Sequence, residues 1–573
     1  MKIPKLKINT KTLNWNLFNE FALWKKYPKN DLLMKLLHRR VVFVIVCVCI
    51  VFIGILWRLM NVMVISSCRS YNHVYNREQI IKKANIVDRN GELLATSIAT
   101  SSCFVDPSVV LDLNDTIKKL SKIPGMPKPD KIRHKLKDSN KHFVWLMRHV
   151  HPTLERQIMD MGLPGIHFQK DYKRIYIHGN LFSHVIGCTD IDCNGVCGIE
   201  KHFNKELIVS DFNNKKLKLT LDLKIQSIIR EELEAGIKKF NAKGGNAILI
   251  KTNGEILAMV SLPDFDPNNL KKHSNDDMFN RNTLGVFEQG SILKVITAAI
   301  ALDSGSSTPG SIFDASSPIK VGRFSITDFK GKNRPLTLSE AIVFSSNIAC
   351  AKIAQKFGVK TQKEYFKKLG LLDHLHLEVP EVGSPLVPKE WTELSGMTIA
   401  YGYGIALSPL QVLTAITSIT NGGIKIEPHF VIKEKNTPQV RVVSKETSKI
   451  VRELMRGVVL YGTARKASVN DVNMFGKTGT AYKRKGRKGY GNHSNRDRLT
   501  SFVGGFPMDN PQYMLLVSLD NPQGDKTTFG YATAGWNVAL VAKNIISRLV
   551  TWIADGRVNE NKQLSIQKYL KLQ

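Results

Sequence analysis

Phe287-Glu288-Gln289-Gly290-Ser291-Ile292-Leu293-Lys294, followed by the apolar run from Val295 to Leu302, is the stretch around which the chain is organised. Glycine ahead of the serine permits a tight entry, and the apolar residues after it predict a buried helix. A helix starting at Ser291 places Lys294 one turn later on the same face. A serine hydroxyl is a poor nucleophile until a neighbouring base accepts its proton. A lysine amine desolvated among apolar neighbours has a lowered pKa and can be that base. The spacing alone decides nothing, because Ser317-Pro318-Ile319-Lys320 and Ser565-Ile566-Gln567-Lys568 repeat it.

The 573 residues exceed what one core organises and predict two or three domains besides any tails. A formal charge of +33 points to nucleic acid or to an anionic surface. The basic residues are spread along the chain and no nucleic-acid-binding motif accompanies them. No nucleic-acid partner is expected; anionic lipid or an acidic polymer fits the charge as well. Of eight cysteines, Cys188, Cys193 and Cys197 cluster without zinc-ligand spacing. A disulfide among them is open if the segment is exported, with the pairing unassigned. The pairs His149/His151 and His374/His376 lack a third ligand nearby. No metal and no cofactor are expected.

Residues 1–40 carry ten Lys/Arg against only Glu20 and Asp31. Val41 to Trp57 is then free of charge, and Leu59 to Ile65 is again mostly apolar around Arg58. An apolar surface all round, over at least the ~20 residues a bilayer needs, predicts a transmembrane helix across 41–65. Arg58 can snorkel to the interface beside Trp57. The N-terminal charge predicts a cytoplasmic N-terminus, with everything beyond about Ser66 on the other side of the membrane. No small-residue cleavage site supports a signal peptide.

Residues 66–215 alternate short strand-like runs with turns, and the Asn90-Gly91 turn marks a hairpin. Asp130 to His149 is basic and helix-permissive. No nucleophile–base pair occurs here, so Arg174, Tyr176 and Glu200 are assigned to structure. A second domain, 216–551, opens with a strand from Leu217 to Leu223 and a helix from Ile225 to Phe240. Strands follow at Asn246–Ile250 and, with alternating faces, Glu255–Ser261. Helices are expected at Leu338–Phe344, Asn347–Phe357 and, behind a capping box from Ser408 to Gln411, up to Asn421. Met474–Tyr482, Leu499–Phe506 and Tyr513–Leu519 are strands, Ala534–Thr551 is a closing helix, and 552–573 is a polar tail.

Within the second domain, Ser345-Ser346-Asn347 joins two helices and Lys477-Thr478-Gly479-Thr480 lies on a strand. Ser70-Tyr71-Asn72 and Ser468-Val469-Asn470 imitate the first of these, so each motif is weak alone. In this order, SxxK, SxN and KTG make the chain resemble the penicillin-recognising serine enzymes. It further resembles a class B penicillin-binding protein of the division type, the septal peptidoglycan transpeptidases. Asp88-Arg89-Asn90-Gly91, Gly198-Ile199-Glu200-Lys201, Ser261 to Asn268, Tyr403-Gly404 and Ser501-Phe502-Val503-Gly504 carry that likeness. It implies an α+β fold: a five-stranded antiparallel sheet with helices on both faces, on an elongated pedestal (dimerisation-type) domain above the membrane anchor.

The resemblance also implies the chemistry. Ser291 attacks a carbonyl and becomes acylated, and Lys294 is the base. Ser345 relays a proton to the leaving amine. Asn347 bonds the lysine and the substrate amide, and Lys477 supplies positive charge. Gly479 leaves room for substrate backbone along the strand. Thr478 and Thr480 offer hydroxyls to a terminal carboxylate, and the N–H groups of Ser291 and Thr480 form an oxyanion hole. The implied substrates are peptidoglycan stem peptides on glycan strands derived from lipid-linked precursors, cross-linked with release of D-alanine. Implied partners are a membrane-embedded glycan polymerase and other division proteins.

Three positions depart from the family pattern. Gln289 replaces a usual proline, Lys83-Ala84 a usual Arg-Gly, and Ile177 a proline, so a looser turn before Ser291 and altered pedestal geometry are expected. The insert from Lys483 to Arg498 is unusually basic, either a solvated loop or a cradle for an anionic partner. A β-lactamase would be shorter and need a group activating deacylating water. A bifunctional polymerase would need a further catalytic domain. An elongation-type transpeptidase and a non-catalytic division scaffold stay as alternatives.

Overall fold

A computed structural model describes residues 32–60, 82–137, 141–208, 216–322, 324–432, 439–483 and 497–552. Most of the basic N-terminal segment, residues 61–65 of the expected membrane span, the tail from 553 and residues 484–496 of the basic insert lie outside the described residues. So do the lookalike motifs at Ser70 and Ser565.

Helix α1 spans Leu32–Met60 and forms a unit of its own with the N-terminal segment. Its stretch Arg39–Met60 is long and apolar enough to cross a membrane, with its side chains exposed. At 1.5 Å per residue these 22 residues reach about 33 Å, the thickness of a hydrocarbon core.

The residues from Ile80 onward form the second unit. Its first sheet is built on a long strand, β2 (Leu93–Val105), which follows β1 (Asn85–Val87) through the Asn90-Gly91 turn. Gly91 takes φ +95°, and Asp88 Oδ1 accepts the N–H groups of Asn90 and Glu92 at 2.7 and 2.9 Å. Strands β3 (Val144–Val150) and β4 (Ile166–Tyr176) pair antiparallel with β2. β5 (Lys216–Lys218) pairs parallel with β1 and leads into the second domain. The helix expected over 130–149 is shorter: a helix covers Pro129–Leu136, and the Val- and Trp-containing half becomes β3.

The second domain begins with α2 (Leu223–Lys239), capped by Asp222, whose side chain accepts from the backbone of Lys224 and Ile225. Chain residue 223 thus belongs to a helix rather than to the predicted strand. The central sheet comprises β6 (Gly244–Lys251), β7 (Ile256–Leu262), β8 (Phe475–Tyr482), β9 (Arg498–Phe506) and β10 (Tyr513–Asp520). Its order is β8-β9-β10-β6-β7, antiparallel throughout. Every residue of β7 is buried, because helices cover both faces; no solvent-facing set survives. The helices that matter for the site are α3 (Lys294–Asp303), α4 (Leu338–Val343), α5 (Asn347–Lys368), α6 (Pro409–Thr420), α7 (Lys445–Leu460) and α8 (Val538–Trp552).

Two helix ends differ from expectation for local reasons. Ser408 caps α6 as predicted, but Gln411 does not return the bond: its Nε2 donates to the carbonyls of Gly370 and Asp373. The closing helix starts at Val538 rather than Ala534, whose N–H is drawn to Thr480 Oγ1 at 3.1 Å.

Specific polar contacts join the two domains, and they fall on the stretches that carried the family likeness. Asp88 Oδ2 accepts from Leu223 N, Asn90 Nδ2 donates to Asp222, and Arg89 pairs with Glu255 at 3.3 Å. Asn268 bonds the backbone of Tyr176 in both directions, and Asp264 accepts from Asn180 and Arg230. In the pedestal core Glu200 takes Lys83 at 2.9 Å and Arg174 at 2.6 Å, with all three side chains inaccessible. Arg174 also donates to the Ala84 carbonyl, so Lys83 in place of arginine still closes a charge-paired cluster. Arg174 and Glu200 are structural, as expected.

Candidate active site

Ser291 sits in a 3-10 turn, Gly290–Ile292, and the α-helix proper begins three residues later at Lys294. Ser291 and Lys294 thus stand on either side of the join between the 3-10 turn and the α-helix, three residues apart. Gly290 holds φ +54° and abuts two backbones. A Cβ there would lie 2.6 Å from Thr480 O, and one on Gly402 would lie 1.9 Å from Gly290 O. No side chain fits either place. The Gly290 N–H donates to Gly402 O, and Phe287 and Leu407 exchange backbone hydrogen bonds, which fixes the approach to the turn. Gln289 is buried, and its Nε2 donates to Leu407 O at 3.1 Å. The turn expected to be loose for want of proline is tied down by this side chain, while Gln289 Oε1 stays without a partner.

Lys294 is fully buried and donates to Ser345 O at 2.5 Å and Ser345 Oγ at 3.1 Å. From the sheet side, Lys477, also fully buried, donates to the same Oγ at 3.0 Å and to Thr478 O at 2.9 Å. One hydroxyl oxygen therefore accepts from two amines, leaving its own proton to be given elsewhere. Burial pulls Lys294 down to about 8, with Cys350 and Asp328 opposing. Burial, then the charge of Lys294, holds Lys477 well below the usual lysine range. Two ammonium groups on one oxygen repel, which disfavours both lysines being charged at once. Ser345 holds φ +61°, a costly conformation for a residue with a side chain, which the α4–α5 connection imposes.

Asp328 organises that connection. Its carboxylate accepts from Ser346 Oγ at 2.6 Å, Asn347 N at 2.5 Å and Ile348 N at 3.0 Å, and so caps α5. Asn347 Nδ2 donates to Thr327 O rather than to a lysine. Sequence spacing carries no signal for Asp328, which lies 17 residues before Ser345.

β8 is an edge strand of the sheet, and Gly479 faces the Ser291 turn: a Cβ there would meet Ile292 Cγ1 at 2.6 Å and Gln289 O at 2.7 Å. Glycine is required here for the turn to reach the strand, a reason independent of the expected one, room for substrate. Thr478 and Thr480 belong to the other face. Thr478 Oγ1 shares a 2.6 Å hydrogen bond with Thr463 Oγ1, and Thr480 Oγ1 accepts from Ala534 N. Thr463 is a second residue that sequence reasoning missed. Beyond Gly479 an open cavity of about 600 Å³ is lined by Phe287, Glu288, Val387, Gly404, Tyr482 and Lys483. Across the loops at either side, Lys330 donates to Tyr531 OH at 3.0 Å, joining the segment that caps α5 to the one that meets Thr480.

The geometry therefore unites a serine turn, two buried lysines on the Ser345 hydroxyl and a glycine-bearing edge strand. The penicillin-binding protein transpeptidase domain model matches residues 245–547, and the penicillin-binding protein dimerisation domain model matches 82–211. The chain belongs to the penicillin-binding transpeptidases. It is 32% identical over 493 residues to the probable peptidoglycan D,D-transpeptidase FtsI of Caulobacter vibrioides, covering 83% of this chain and 82% of that protein. With the peptidoglycan D,D-transpeptidase FtsI of Escherichia coli K12 it shares 28% over 481 residues, covering 78% and 81%. The fold is similar to the crystal structure of penicillin-binding protein 3 from Mycobacterium tuberculosis complexed with aztreonam. There the TM-score is 0.66 at 22% identity, covering 84% of this chain and 98% of that one. In this penicillin-binding transpeptidase both expected domains are present and the sheet is the five-stranded antiparallel one.

Proposed function

We propose that the chain is a membrane-anchored peptidoglycan D,D-transpeptidase acting at the division septum, through an acyl-enzyme on Ser291. The observation that carries this is the Lys294–Ser345–Lys477 cluster, with one relay hydroxyl between two desolvated amines beside the serine turn. Neutral Lys294 takes the Ser291 proton as Oγ attacks the carbonyl of the penultimate D-alanine. The N–H groups of Ser291 and Thr480, on backbones that the Gly290 contact brings together, hold the developing oxyanion. Ser345 passes its proton to the departing amine and regains one from the lysine pair, so D-alanine leaves neutral at nitrogen. An acceptor amine from a second stem peptide then attacks the ester and frees Ser291. Substrate backbone runs along the edge strand at Gly479; Asn347, Thr478 and Thr480 serve the donor site only by exchanging their present partners Thr327, Thr463 and Ala534, and the cavity beyond Gly479 gives the upstream part of the stem a place.

The domain limits fit this reading: an anchor over 41–65, a pedestal over 66–215 and a catalytic domain over 216–551. The basic N-terminal segment supports a cytoplasmic N-terminus, with both folded domains on the far side of the inner membrane. A membrane-embedded glycan polymerase and other division proteins are the partners this placement calls for. Fluorescent penicillin added to membranes containing the protein tests the nucleophile. Wild type labels and holds the label; labelling of Ser291→Ala refutes the assignment, and rapid release of the label makes the enzyme a β-lactamase instead. Accumulation of a fluorescent fusion along the lateral wall, with none at the septum, refutes the division role.

A further inference from the structure

The pedestal carries three of the chain's eight cysteines within ten residues, and none of them serves the reaction above. Cys188 and Cys197 are direct partners in a two-stranded antiparallel hairpin. Opposed antiparallel residues have Cα atoms about 4.5–5.5 Å apart, inside the range a disulfide spans. The side chains agree with the backbone: the two sulfurs lie 3.1 Å apart. Cys193 is turned away, and its Sγ donates to the Tyr172 carbonyl at 3.2 Å. The backbone is closely packed at the base of the hairpin, where a Cβ on Gly187 would lie 2.0 Å from Cys197 O and one on Gly198 2.6 Å from Val185 O.

The hairpin also has a position worth securing. Gly198 N donates to Glu381 of the catalytic domain at 3.1 Å, and Glu200, two residues on, is the counter-charge of Lys83 and Arg174. A covalent tie between Cys188 and Cys197 would fix the segment at the junction of the two domains.

We infer that Cys188 and Cys197 form a disulfide in the mature protein, with Cys193 remaining a thiol. The inference rests on the proposed placement of the pedestal outside the cytoplasm, where disulfides persist. The oxidant is a disulfide-bearing exchange partner, either a small-molecule disulfide or a thiol oxidoreductase. One of the two sulfurs, once deprotonated, attacks it to give a mixed disulfide. The other, deprotonated in turn, displaces the oxidant's second sulfur, so two electrons reduce the oxidant to thiols and two protons pass from the cysteines.

The test has two arms, each on the full chain in detergent. In the first, the reduced protein is exposed to oxidised glutathione, alkylated and mapped by mass spectrometry after cleavage at Asp190 and Asp192, which separates Cys188 from the other two. The expected result is protection of Cys188 and Cys197 with alkylation of Cys193. Cys193→Ser leaves that protection intact, and Cys197→Ser exposes Cys188. Reduction lowers the thermal midpoint by about 3 °C, the effect of opening a loop of this length in a unit of this size. Alkylation of both Cys188 and Cys197 after oxidation, or pairing through Cys193, overturns the assignment. In the second arm, cells are acid-quenched and alkylated before lysis. Protection again supports the inference; reduced thiols in cells overturn it, and if the first arm succeeded they locate the failure in the topology rather than in the pairing.

Discussion

The buried lysine pair makes a quantitative demand on the pH dependence of acylation. An ordinary lysine, with a pKa of 10.5, is neutral in about one molecule in 3,000 at pH 7. With Lys294 drawn down to about 8, the neutral fraction at pH 7 becomes about one in eleven, close to a 300-fold gain in competent base. The sign follows from the role: a base must be unprotonated, so the acylation rate rises with pH and levels off once the amine is neutral. Between pH 7 and pH 9.5 the rate should rise about tenfold and then plateau. Stopped-flow acylation by a reporter β-lactam, corrected for its own hydrolysis, reads this directly. Asp328 adds a refinement, because its carboxylate raises the Lys294 pKa. Asp328→Asn keeps an acceptor at the cap of α5 and should move the inflection to lower pH. A flat profile, a falling one, or an inflection near 10 would falsify the assignment of Lys294 as a desolvated base.

Other consequences of the structure can be checked separately. Gly479→Ala forces a methyl into Ile292 Cγ1 and Gln289 O, so acylation should fall by about two orders of magnitude, read as kinact/KI for penicillin, with the fold retained by circular dichroism. Gln289→Ala removes the bond to Leu407 O, a contact of about 1 kcal/mol, and should slow acylation about fivefold; an unchanged rate would mean the turn holds without it. Glu200→Gln strands the buried Lys83 and Arg174 charges and should cost about 3–5 kcal/mol in denaturant unfolding. His184, buried with its Nε2–H on Asp277 O, has its pKa drawn down by burial to about 4. Since the unfolded chain takes that proton first, stability should be full above about pH 6.5 and fall below it, by about 2 kcal/mol at pH 5. His184→Gln should flatten the loss.

The elements legible in the sequence were those whose signal is local. The Asn90-Gly91 hairpin, the cap at Ser408 and the strands Phe475–Tyr482, Arg498–Phe506 and Tyr513–Asp520 each follow from a turn residue, a cap or an apolar run. What could not be read depended on residues distant in the chain. Gln411 is diverted from its own helix terminus by two carbonyls of the 370–373 turn, and Ala534 is diverted from α8 by Thr480. Asp328 and Thr463 reached the site only through folding. Their roles, a helix cap and a hydroxyl partner for Thr478, have no characteristic spacing from the residues they serve.

Gln289 shows how a substitution read one way in sequence acquires a different meaning in space. Proline before the glycine would stiffen the turn through its fixed φ. Glutamine lacks that restriction, yet its side chain spans to Leu407, the same residue whose backbone pairs with Phe287 at the entry to the turn. Rigidity is thus supplied by tertiary contact in place of local covalent geometry. The arrangement has a cost, because Oε1 is buried without a partner, and such an acceptor typically forfeits about 1–3 kcal/mol. Global stability absorbs that cost, while Ser291, the proposed nucleophile, gains a turn fixed from two sides, by Gly402 and Thr480 through backbone contact and by Leu407 through Gln289. The position of Ser291 therefore depends on two distant segments, residues 402–407 and the strand at Thr480, meeting a turn whose glycine no other residue can replace.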